Sequence, residues 1–337
     1  MKAAVFAADG VPHVVSRDRQ EPGPGEVRVA VTAVGICGSD LHISHGMFGS
    51  PEGLQPGHEI AGVIDRVGDG VTLETGIVVS VEPVVACGSC HYCRVGRPNL
   101  CTTMILLGVT RPGALAESIN VPARQLYSMA AGLTASQVAL TEPLAVCVRA
   151  VRVGKVGLND RVVIVGAGSI GLLCILAARA AGAGEVLITA RHPHQQELAR
   201  ALGANRVFAD MDGLVDGLGE NCADVVLETV GGSADTLTES VRVARPGSTI
   251  VVLGIFDGHA RVPGLAFINK ELTLAASACY AHEASESDFG IAARLVDRYR
   301  DLLGPVVTHT FKLDQVAEAF RVADDKRQRS IKVLITP

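Results

Sequence analysis

A chain of 337 residues exceeds what one hydrophobic core usually holds, so its length predicts two domains. The composition is that of a globular protein, with 48% apolar residues and no tryptophan, so the core must come from Val, Ala, Leu and Ile. With 30 Lys and Arg against 35 Asp and Glu, the net charge is −5, and the missing basic field argues against nucleic acid as a partner.

The first residues, MKAAVFAADG, lack the longer apolar run of a secretion signal and predict a first β-strand. No stretch approaches the roughly 18 apolar residues that cross a bilayer, so we expect no membrane partner and a cytoplasmic location. Nine cysteines in a reducing compartment indicate metal binding or catalysis before disulfides.

Residues 1–150 alternate short β-like runs with Gly/Pro turns, a pattern typical of a β-rich domain. The clearest runs are residues 27–34, 60–67 and 77–81.

Candidate ligands for a reactive metal lie in GICGSDLH at residues 35–42 and PGHEIAG at residues 56–62. Cys37, His58 and either Glu59 or the later Glu142 would supply sulfur, nitrogen and oxygen, with one position left open. One thiolate and one carboxylate neutralise Zn²⁺, whereas a second carboxylate would weaken it as a Lewis acid. We therefore expect one glutamate to bind the metal and the other to act through its water, in an order that the sequence leaves open.

Four cysteines follow within one segment, CGSCHYCRVGRPNLC at residues 87–101. Their spacing lets a single loop wrap Cys87, Cys90, Cys93 and Cys101 tetrahedrally around zinc, and four sulfurs leave no open position. We predict a structural zinc site. A disulfide pair is disfavoured in a reducing compartment, and a nucleic-acid zinc ribbon would need two distant CxxC pairs with basic residues.

Near Arg149 the pattern changes to buried-type strands separated by helical stretches, which indicates a doubly wound parallel sheet. The predicted strands are residues 161–165, 185–190, 206–210, 224–230, 248–256 and 273–280. Predicted helices include residues 170–181 and 195–202, the latter closed by Gly203. After about residue 282 the pattern loosens; we interpret the charged run at 324–332 as a solvated face before a strand at 331–336.

A glycine-rich turn, RVVIVGAGSIG at residues 161–171, joins the first of these strands to a helix. The first glycine permits a tight turn, the second lets a pyrophosphate approach, and the third allows close packing of helix on strand. A turn without ligand is the alternative. The predicted dinucleotide-binding residues of the turn are Gly166, Gly168, Ser169, Ile170 and Gly171.

The next strand ends in LITARHPHQ, with Ala190 where an NAD site carries an acid and Arg191 immediately after it. Losing the acid removes the repulsion of a 2′-phosphate, and a guanidinium binds phosphate well. We therefore predict NADP(H) in preference to NAD(H), with Ala190 and Arg191 at the cofactor. Alternatively, Arg191 merely ends its strand.

Taken in order, GICGSD, GHE, the four-cysteine segment, EPLAV and VGAGSIG resemble the zinc-containing medium-chain dehydrogenase/reductase family over essentially the whole chain. The EPLAV segment resembles its polyol, sorbitol-type branch. The resemblance implies an α/β protein with a GroES-like catalytic domain at residues 1–150 and a Rossmann domain at 151–282. Residues 283–337 would return to the catalytic domain, and the chain would form a homodimer or homotetramer.

The resemblance also implies a zinc-dependent, NAD(P)-linked oxidoreductase that interconverts a secondary alcohol, diol or polyol and the matching ketone by hydride transfer. It makes Ser39 and His42 the proton relay and Asp40 the carboxylate that orients His58. The alternatives are a zinc-free quinone or enone reductase of the same fold, and a non-enzymatic zinc-stabilised binding protein. The Cys37 and His58 ligand set disfavours the first, and the relay pair disfavours the second.

Two positions depart from the polyol branch. Ile43 follows the relay histidine where a polar aromatic residue would suit a polyol, and Cys279 stands where sugar-alcohol members tend to carry arginine. Both predict a pocket more apolar than a hexitol requires.

Overall fold

The structure, a computed structural model, describes residues 1–47, 49–283 and 286–337. Its contacts divide the chain into a first unit, Met1–Glu142 with Ala281–Pro337, and a second unit, Pro143–Tyr280. The predicted domain limits at residues 150 and 282 lie near these boundaries and stay predictions. Within the described residues, no helix is both long and apolar enough to cross a bilayer.

Short strands dominate the part of the first unit that precedes residue 143. In chain order the elements are β1 (Lys2–Phe6), β2 (Pro12–Ser16), β3 (Glu26–Gly35), α1 (Gly38–Ser44), β4 (Glu59–Val67), β5 (Val78–Val81), β6 (Val84–Val85), α2 (His91–Arg94), a 3₁₀ turn (Pro98–Leu100), β7 (Ile105–Leu106), β8 (Ser118–Pro122), a 3₁₀ turn (Ala123–Gln125), β9 (Leu126–Ser128), α3 (Ala135–Ala139) and α4 (Thr141–Val153). Helix α4 begins in the first unit and continues into the second.

Strands and helices alternate through the second unit. They are β10 (Arg161–Val165), α5 (Ser169–Ala180), β11 (Glu185–Thr189), α6 (Pro193–Ala201), β12 (Arg206–Phe208), α7 (Met211–Leu218), β13 (Ala223–Glu228), α8 (Thr236–Val243), β14 (Ala244–Val252), α9 (Gly264–Asn269) and β15 (Thr273–Ala276).

The remaining elements complete the first unit. They are β16 (His282–Glu283), β17 (Glu286–Ser287), α10 (Asp288–Arg298), α11 (Arg300–Leu303), a 3₁₀ turn (Gly304–Val306), β18 (Val307–Lys312), a 3₁₀ turn (Leu313–Gln315), α12 (Val316–Asp324), a 3₁₀ turn (Lys326–Gln328) and β19 (Lys332–Thr336).

The sheet of the second unit is parallel, in the order β12-β11-β10-β13-β14-β15. This is the doubly wound arrangement, whose strand order reverses between β10 and β13 and opens a crevice at the carboxyl ends of the strands. Helix α5 is buried from Gly171 to Ala178, which explains why its sequence is apolar on every side.

Most of the predicted strands of this sheet end later than the observed ones. The last prediction, at residues 273–280, continues past the end of β15 at Ala276. Apolar residues continue beyond the carboxyl ends of the strands, but there the backbone leaves the ladder. Val230 and Ile255 thus lie in loops with 46% and 40% of their surface exposed, and Asp210 caps α7 by accepting a hydrogen bond from the Gly213 N–H.

The first unit is built on a mixed sheet in the order β18-β19-β3-β4-β5-β9, with β8 also paired to β3. Its core includes Ile43, which is only 4% exposed and packs with the strand residues. Ile43 therefore faces the core, and its apolar character carries no information about the substrate pocket, contrary to the prediction.

The charged run at residues 324–332 is not solvated throughout, which corrects another prediction. Lys332 is 2% exposed because it starts β19, which lies inside the sheet between β18 and β3. Strand alternation turns this side chain inward, where it meets a buried carboxylate.

Candidate functional site

The register of two antiparallel strands brings the candidate metal ligands together. Gly35 at the end of β3 pairs with Glu59 at the start of β4, so Cys37 and His58 lie just beyond the paired ends. A Cβ atom on Gly35 would collide with the Glu59 carboxylate. Because Gly35 has no side chain, the Glu59 carboxylate can pack directly against the backbone of β3.

The Cys37 sulfur, a His58 ring nitrogen and a Glu59 carboxylate oxygen lie within 4.8 Å of one another. Glu142, in the first turn of α4, is buried but is not in this cluster among the described residues. Burial lowers the pKa of His58, but the negative charges of Asp40 and Cys37, with a contribution from Glu142, outweigh it and raise that pKa well above its usual value. The pocket therefore favours a positive charge.

Unsatisfied buried atoms at the same place test whether a metal would fit. Glu59 Oε2 and His58 Nδ1 are buried without a hydrogen-bond partner, and so is Asp40 Oδ1. Such atoms are rare in folded proteins because each has lost its water. A cation beside Glu59 Oε2 would satisfy it, so the donor set fits zinc.

Helix α1 carries the predicted relay and the orienting acid. Ser39 Oγ lies 3.3 Å from His58 Nε2, and His42 is half-buried one turn further along the helix. Asp40 is fully buried; its Oδ2 accepts the Cys37 N–H at 2.9 Å, and its Oδ1 lies 3.6 Å from His58 Nδ1. The structure thus brings Ser39 and Asp40 to opposite sides of the imidazole, while their roles stay predictions.

The sequence analysis missed Lys332 as a member of this site. Its Nζ donates to Glu59 Oε1 at 2.6 Å and to the Ile36 carbonyl at 3.1 Å. The lysine also changes the charge balance, because its positive charge offsets a second carboxylate. The signal in the sequence was a single charged residue starting the apolar strand KVLIT.

The four cysteines at residues 87–101 also come together, with all sulfurs within 4.8 Å of one another. Cys93 Sγ lies 3.9 Å from that of Cys87 and 3.5 Å from that of Cys90. Zn–S bonds of 2.3 Å at tetrahedral angles put sulfurs about 3.8 Å apart. Backbone N–H groups of Ser89 and Cys90 lower the pKa of Cys87 to about 5, whereas burial and the neighbouring Cys90 thiol raise that of Cys93 to about 12.

In the second unit, the glycine turn has the shape that a dinucleotide needs. Gly166 has φ +94°, and a Cβ on Gly171 would collide with the Gly166 carbonyl. A Cβ on Gly168 would meet nothing within 4 Å, so its backbone is open to a ligand. Ser169 and Ile170 begin α5, a 12-residue helix whose N-terminus has no side-chain cap. These features fit a pyrophosphate group.

At the end of β11, Ala190 is 1% exposed and Arg191 is exposed. The His192 and His194 rings stack with 5.7 Å between centroids. Burial and nearby aspartates raise the pKa of Glu239. The positive charge of Arg191 acts in the opposite direction and favours the ionised form of Glu239. A carboxylate therefore shares the surroundings of the proposed phosphate-binding arginine.

Comparisons with known proteins identify the family of this chain. The family model of the alcohol dehydrogenase GroES-like domain matches residues 23–131, and that of zinc-binding dehydrogenases matches residues 169–297. The 2-dehydro-3-deoxy-L-galactonate 5-dehydrogenase of Pseudoalteromonas atlantica is 33% identical over 99% of this chain and 98% of that protein. This chain belongs to the zinc-containing medium-chain dehydrogenase/reductase family.

Solved structures of the family have the same fold. The Escherichia coli CFT073 alcohol dehydrogenase rspB, in complex with NADH, is 30% identical, with a TM-score of 0.89 over 100% of this chain and 99% of that one. A zinc-binding dehydrogenase from Sinorhizobium meliloti 1021, bound to NADP, is also 30% identical, with a TM-score of 0.88 over the same shares.

The family confirms the predicted fold class, α/β with a GroES-like domain and a Rossmann-type domain. This medium-chain dehydrogenase is an NAD(P)-linked oxidoreductase that interconverts an alcohol and the corresponding ketone. Zinc and a nicotinamide cofactor accord with the family and with the two clusters and the glycine turn described above.

Proposed function

We propose that this protein is a zinc-dependent, NADP(H)-preferring dehydrogenase of a secondary alcohol, diol or polyol and of the matching ketone. The cluster of Cys37, His58 and Glu59, with its ligand atoms within 4.8 Å, carries the proposal. Thiolate, imidazole and carboxylate with a fourth position open are ligands that suit a catalytic zinc ion. When bound, zinc supplies a Lewis acid that polarises the substrate oxygen.

Glu59 is proposed as the direct ligand and Glu142 as the acid acting through water. Glu59 Oε1 is held by Lys332, whereas its Oε2 is buried and unsatisfied beside Cys37 and His58. Glu142 lies outside this cluster, yet its charge is felt at both His58 and Lys332.

Proton movement is assigned to α1. Ser39 Oγ, 3.3 Å from the proposed ligand nitrogen of His58, would accept the substrate hydroxyl proton. His42, half-buried one turn further, would pass it towards solvent. Asp40 would hold the His58 ring in the orientation that leaves Nε2 free for the metal.

The cofactor preference rests on Ala190 and Arg191. No carboxylate at the strand end opposes a 2′-phosphate, and the exposed Arg191 offers a planar set of donors. The nearby Glu239 reduces the advantage for NADP(H), because its carboxylate competes with a 2′-phosphate for the positive charge of Arg191. We therefore propose a preference for NADP(H) rather than exclusion of NAD(H).

The substrate class is drawn from the relatives and the ligand set. The Pseudoalteromonas relative is named for oxidation of a sugar acid at one carbon, which suits a hydroxylated substrate. With Ile43 in the core, the half-buried Cys279 alone is left to indicate a less hydroxylated chain.

A homodimer or homotetramer is also proposed. Strand β15 lies at the edge of its sheet in the described part of the chain. Leu265, Ile268 and Leu274, on α9 and β15, are 76%, 71% and 41% exposed. An open edge beside apolar side chains is typical of an interface. The cytoplasmic location stays a prediction from the lack of a signal-like or membrane-spanning apolar run in the sequence.

Metal analysis with an activity screen tests the proposal. Protein purified without chelators should hold two zinc ions per chain, and brief chelation should remove one of them together with turnover. Cys37→Ala should lose that ion and keep the fold, whereas Cys90→Ala should lower stability because the structural site contributes folding energy. One zinc ion or none in active protein would contradict the assignment. Reduction of NAD(P)⁺ should be strongest with secondary alcohols, vicinal diols or sugar alcohols.

A further inference from the structure

Glu228, the last residue of β13, is a fully buried carboxylate far from the metal ligands in sequence. Its Oε1 accepts the Val230 N–H at 2.8 Å, the Gly231 N–H at 2.9 Å and the Thr236 hydroxyl at 2.9 Å. Among the described residues it forms no ion pair, and its Oε2 has no hydrogen-bond partner. A buried charge held only by neutral donors is costly, so this arrangement needs a reason.

The backbone of Glu228 joins a second loop to the first. Its carbonyl accepts the N–H groups of Leu253 and Gly254 at 2.8 and 3.2 Å. Residues 229–232 and 253–257, here called the edge loops, are further joined by hydrogen bonds from Gly232 N–H to the Ile255 carbonyl at 2.7 Å and from Asp257 N–H to the Gly232 carbonyl at 3.1 Å. Glu228 therefore holds one loop with its side chain and the other with its backbone.

The two edge loops are closely packed where they meet the Glu228 side chain. A Cβ on Gly254 would lie 2.6 Å from Glu228 Oε2 and would also strike the Gly231 nitrogen. Gly231 has φ +62°, a conformation that the hydrogen bond from its own N–H to Glu228 helps to hold. The carboxylate thus bonds to the first edge loop directly and packs against Gly254 of the second, which the Glu228 carbonyl holds.

The edge loops lie at the carboxyl ends of β13 and β14, next to the switch point of the sheet. A doubly wound sheet binds one half of a dinucleotide at the first glycine turn and the other half across the switch point. Val230 packs so closely on Gly166 that a Cβ atom on Gly166 would collide with the Val230 side chain. The edge loops are therefore in contact with the glycine turn. Val230 and Ile255 are 46% and 40% exposed, an apolar surface suited to a flat ring.

We propose that Glu228 is a positioning residue that shapes the edge loops to receive the nicotinamide half of the cofactor. It acts through the loops and does not touch the reacting atoms. The inference rests on the proposed nicotinamide function and adds to it a residue outside the glycine turn. A carboxylate oxygen suits this role because it binds three donors more strongly than an amide oxygen does.

The test compares the whole cofactor with the same molecule without its nicotinamide ring. Glu228→Gln keeps the size and removes the charge. Calorimetry with NADH, NADPH, ADP-ribose and 2′-phospho-ADP-ribose then isolates the contribution of the nicotinamide ring, because the last two ligands lack only that ring. Fluorescence of the reduced cofactor is a second measure of binding. We expect Glu228→Gln to weaken dinucleotide binding about tenfold or more while leaving ADP-ribose binding within about twofold.

Two further variants complete the design. Glu185→Gln makes the same change at the opposite end of the sheet, where Glu185 pairs with Arg161 at 2.6 Å, and should leave cofactor binding unchanged. Thr236→Val removes one donor and should weaken dinucleotide binding about threefold, which keeps the test open if Glu228→Gln does not fold. Its effect should not add to that of Glu228→Gln, because both act through one contact.

The outcomes are distinct. Wild-type affinity in Glu228→Gln, or equal losses of dinucleotide and ADP-ribose, would overturn the positioning role. A wild-type protein that binds no dinucleotide would instead overturn the proposed function. In turnover, the KM for the cofactor should rise more than the KM for the alcohol.

Discussion

Replacing Lys332 by methionine should expose how strongly the proposed metal site depends on this one cation. The Lys332 and Glu59 side chains are 2% and 0% exposed, and Nζ and Oε1 are 2.6 Å apart. Removing one partner of a buried ion pair leaves the other charge uncompensated and costs about 3–5 kcal/mol. We expect Lys332→Met to lose about that much free energy of unfolding in metal-free protein.

Zinc should restore part of this loss, because the metal then compensates Glu59. The assay is urea unfolding of wild type and Lys332→Met, each with chelator and with zinc. Zinc should raise the midpoint more in the variant than in wild type, and adding Glu59→Gln should recover part of the metal-free stability. Lys2→Met is the matched control, since Lys2 pairs with Asp314 at 2.6 Å on the exposed surface. Equal, small effects of Lys332→Met and Lys2→Met would refute the reasoning.

Three further predictions concern the relay, the cofactor and pH. Ser39→Ala should lower kcat by about two orders of magnitude in steady-state assays, and wild-type turnover would end its assignment as the proton acceptor. Arg191→Ala should remove on the order of 1.5–3 kcal/mol of NADP(H) preference, roughly one to two decades in the ratio of kcat/KM values, and Ala190→Asp should move that ratio the same way; an unmoved ratio would leave Arg191 a strand end. The Glu82 carboxylate, 3.6 Å from His282 Nε2, raises the pKa of His282 against the effect of burial, so the contribution of this pair to stability should be complete below about pH 6.5 and should disappear as the pH rises through the raised folded value. Unfolding of wild type and His282→Gln across that range should converge at high pH, and parallel curves would contradict the pair.

Local patterns in the sequence were enough for the Rossmann-type unit. Each buried strand is a short run of β-branched residues that ends near glycine or a polar residue, and the helix after β10 is apolar on every side. These signals depend on neighbours along the chain, so they were enough to predict a doubly wound parallel sheet. Where the prediction was wrong, apolar residues such as Val230 and Ile255 were taken for strand, although they lie in loops.

The types of metal ligand could also be predicted from the sequence, because thiolate, imidazole and carboxylate side chains at these spacings are typical of metal sites. Cys37 and His58 could be named, as could the four cysteines within one loop. The choice between Glu59 and Glu142 could not be made, since it depends on which carboxylate reaches the other two ligands once β3 and β4 are paired.

Only the tertiary structure decided which charges are buried together. Lys332 is nearly 300 residues from Glu59 in sequence, and no local signal separates an inward lysine from a solvated one. In the sequence, Glu228 is an ordinary polar residue at the end of a strand. Only the structure shows that it is fully buried and accepts hydrogen bonds from three donors. The sequence predicted Ile43 as a pocket residue, but the packing of α1 places its side chain in the core. Sequence patterns specify periodicity and ligand type, but burial and pairing across long separations arise from packing, which sets both the charge balance of the metal site and the conformation of the edge loops.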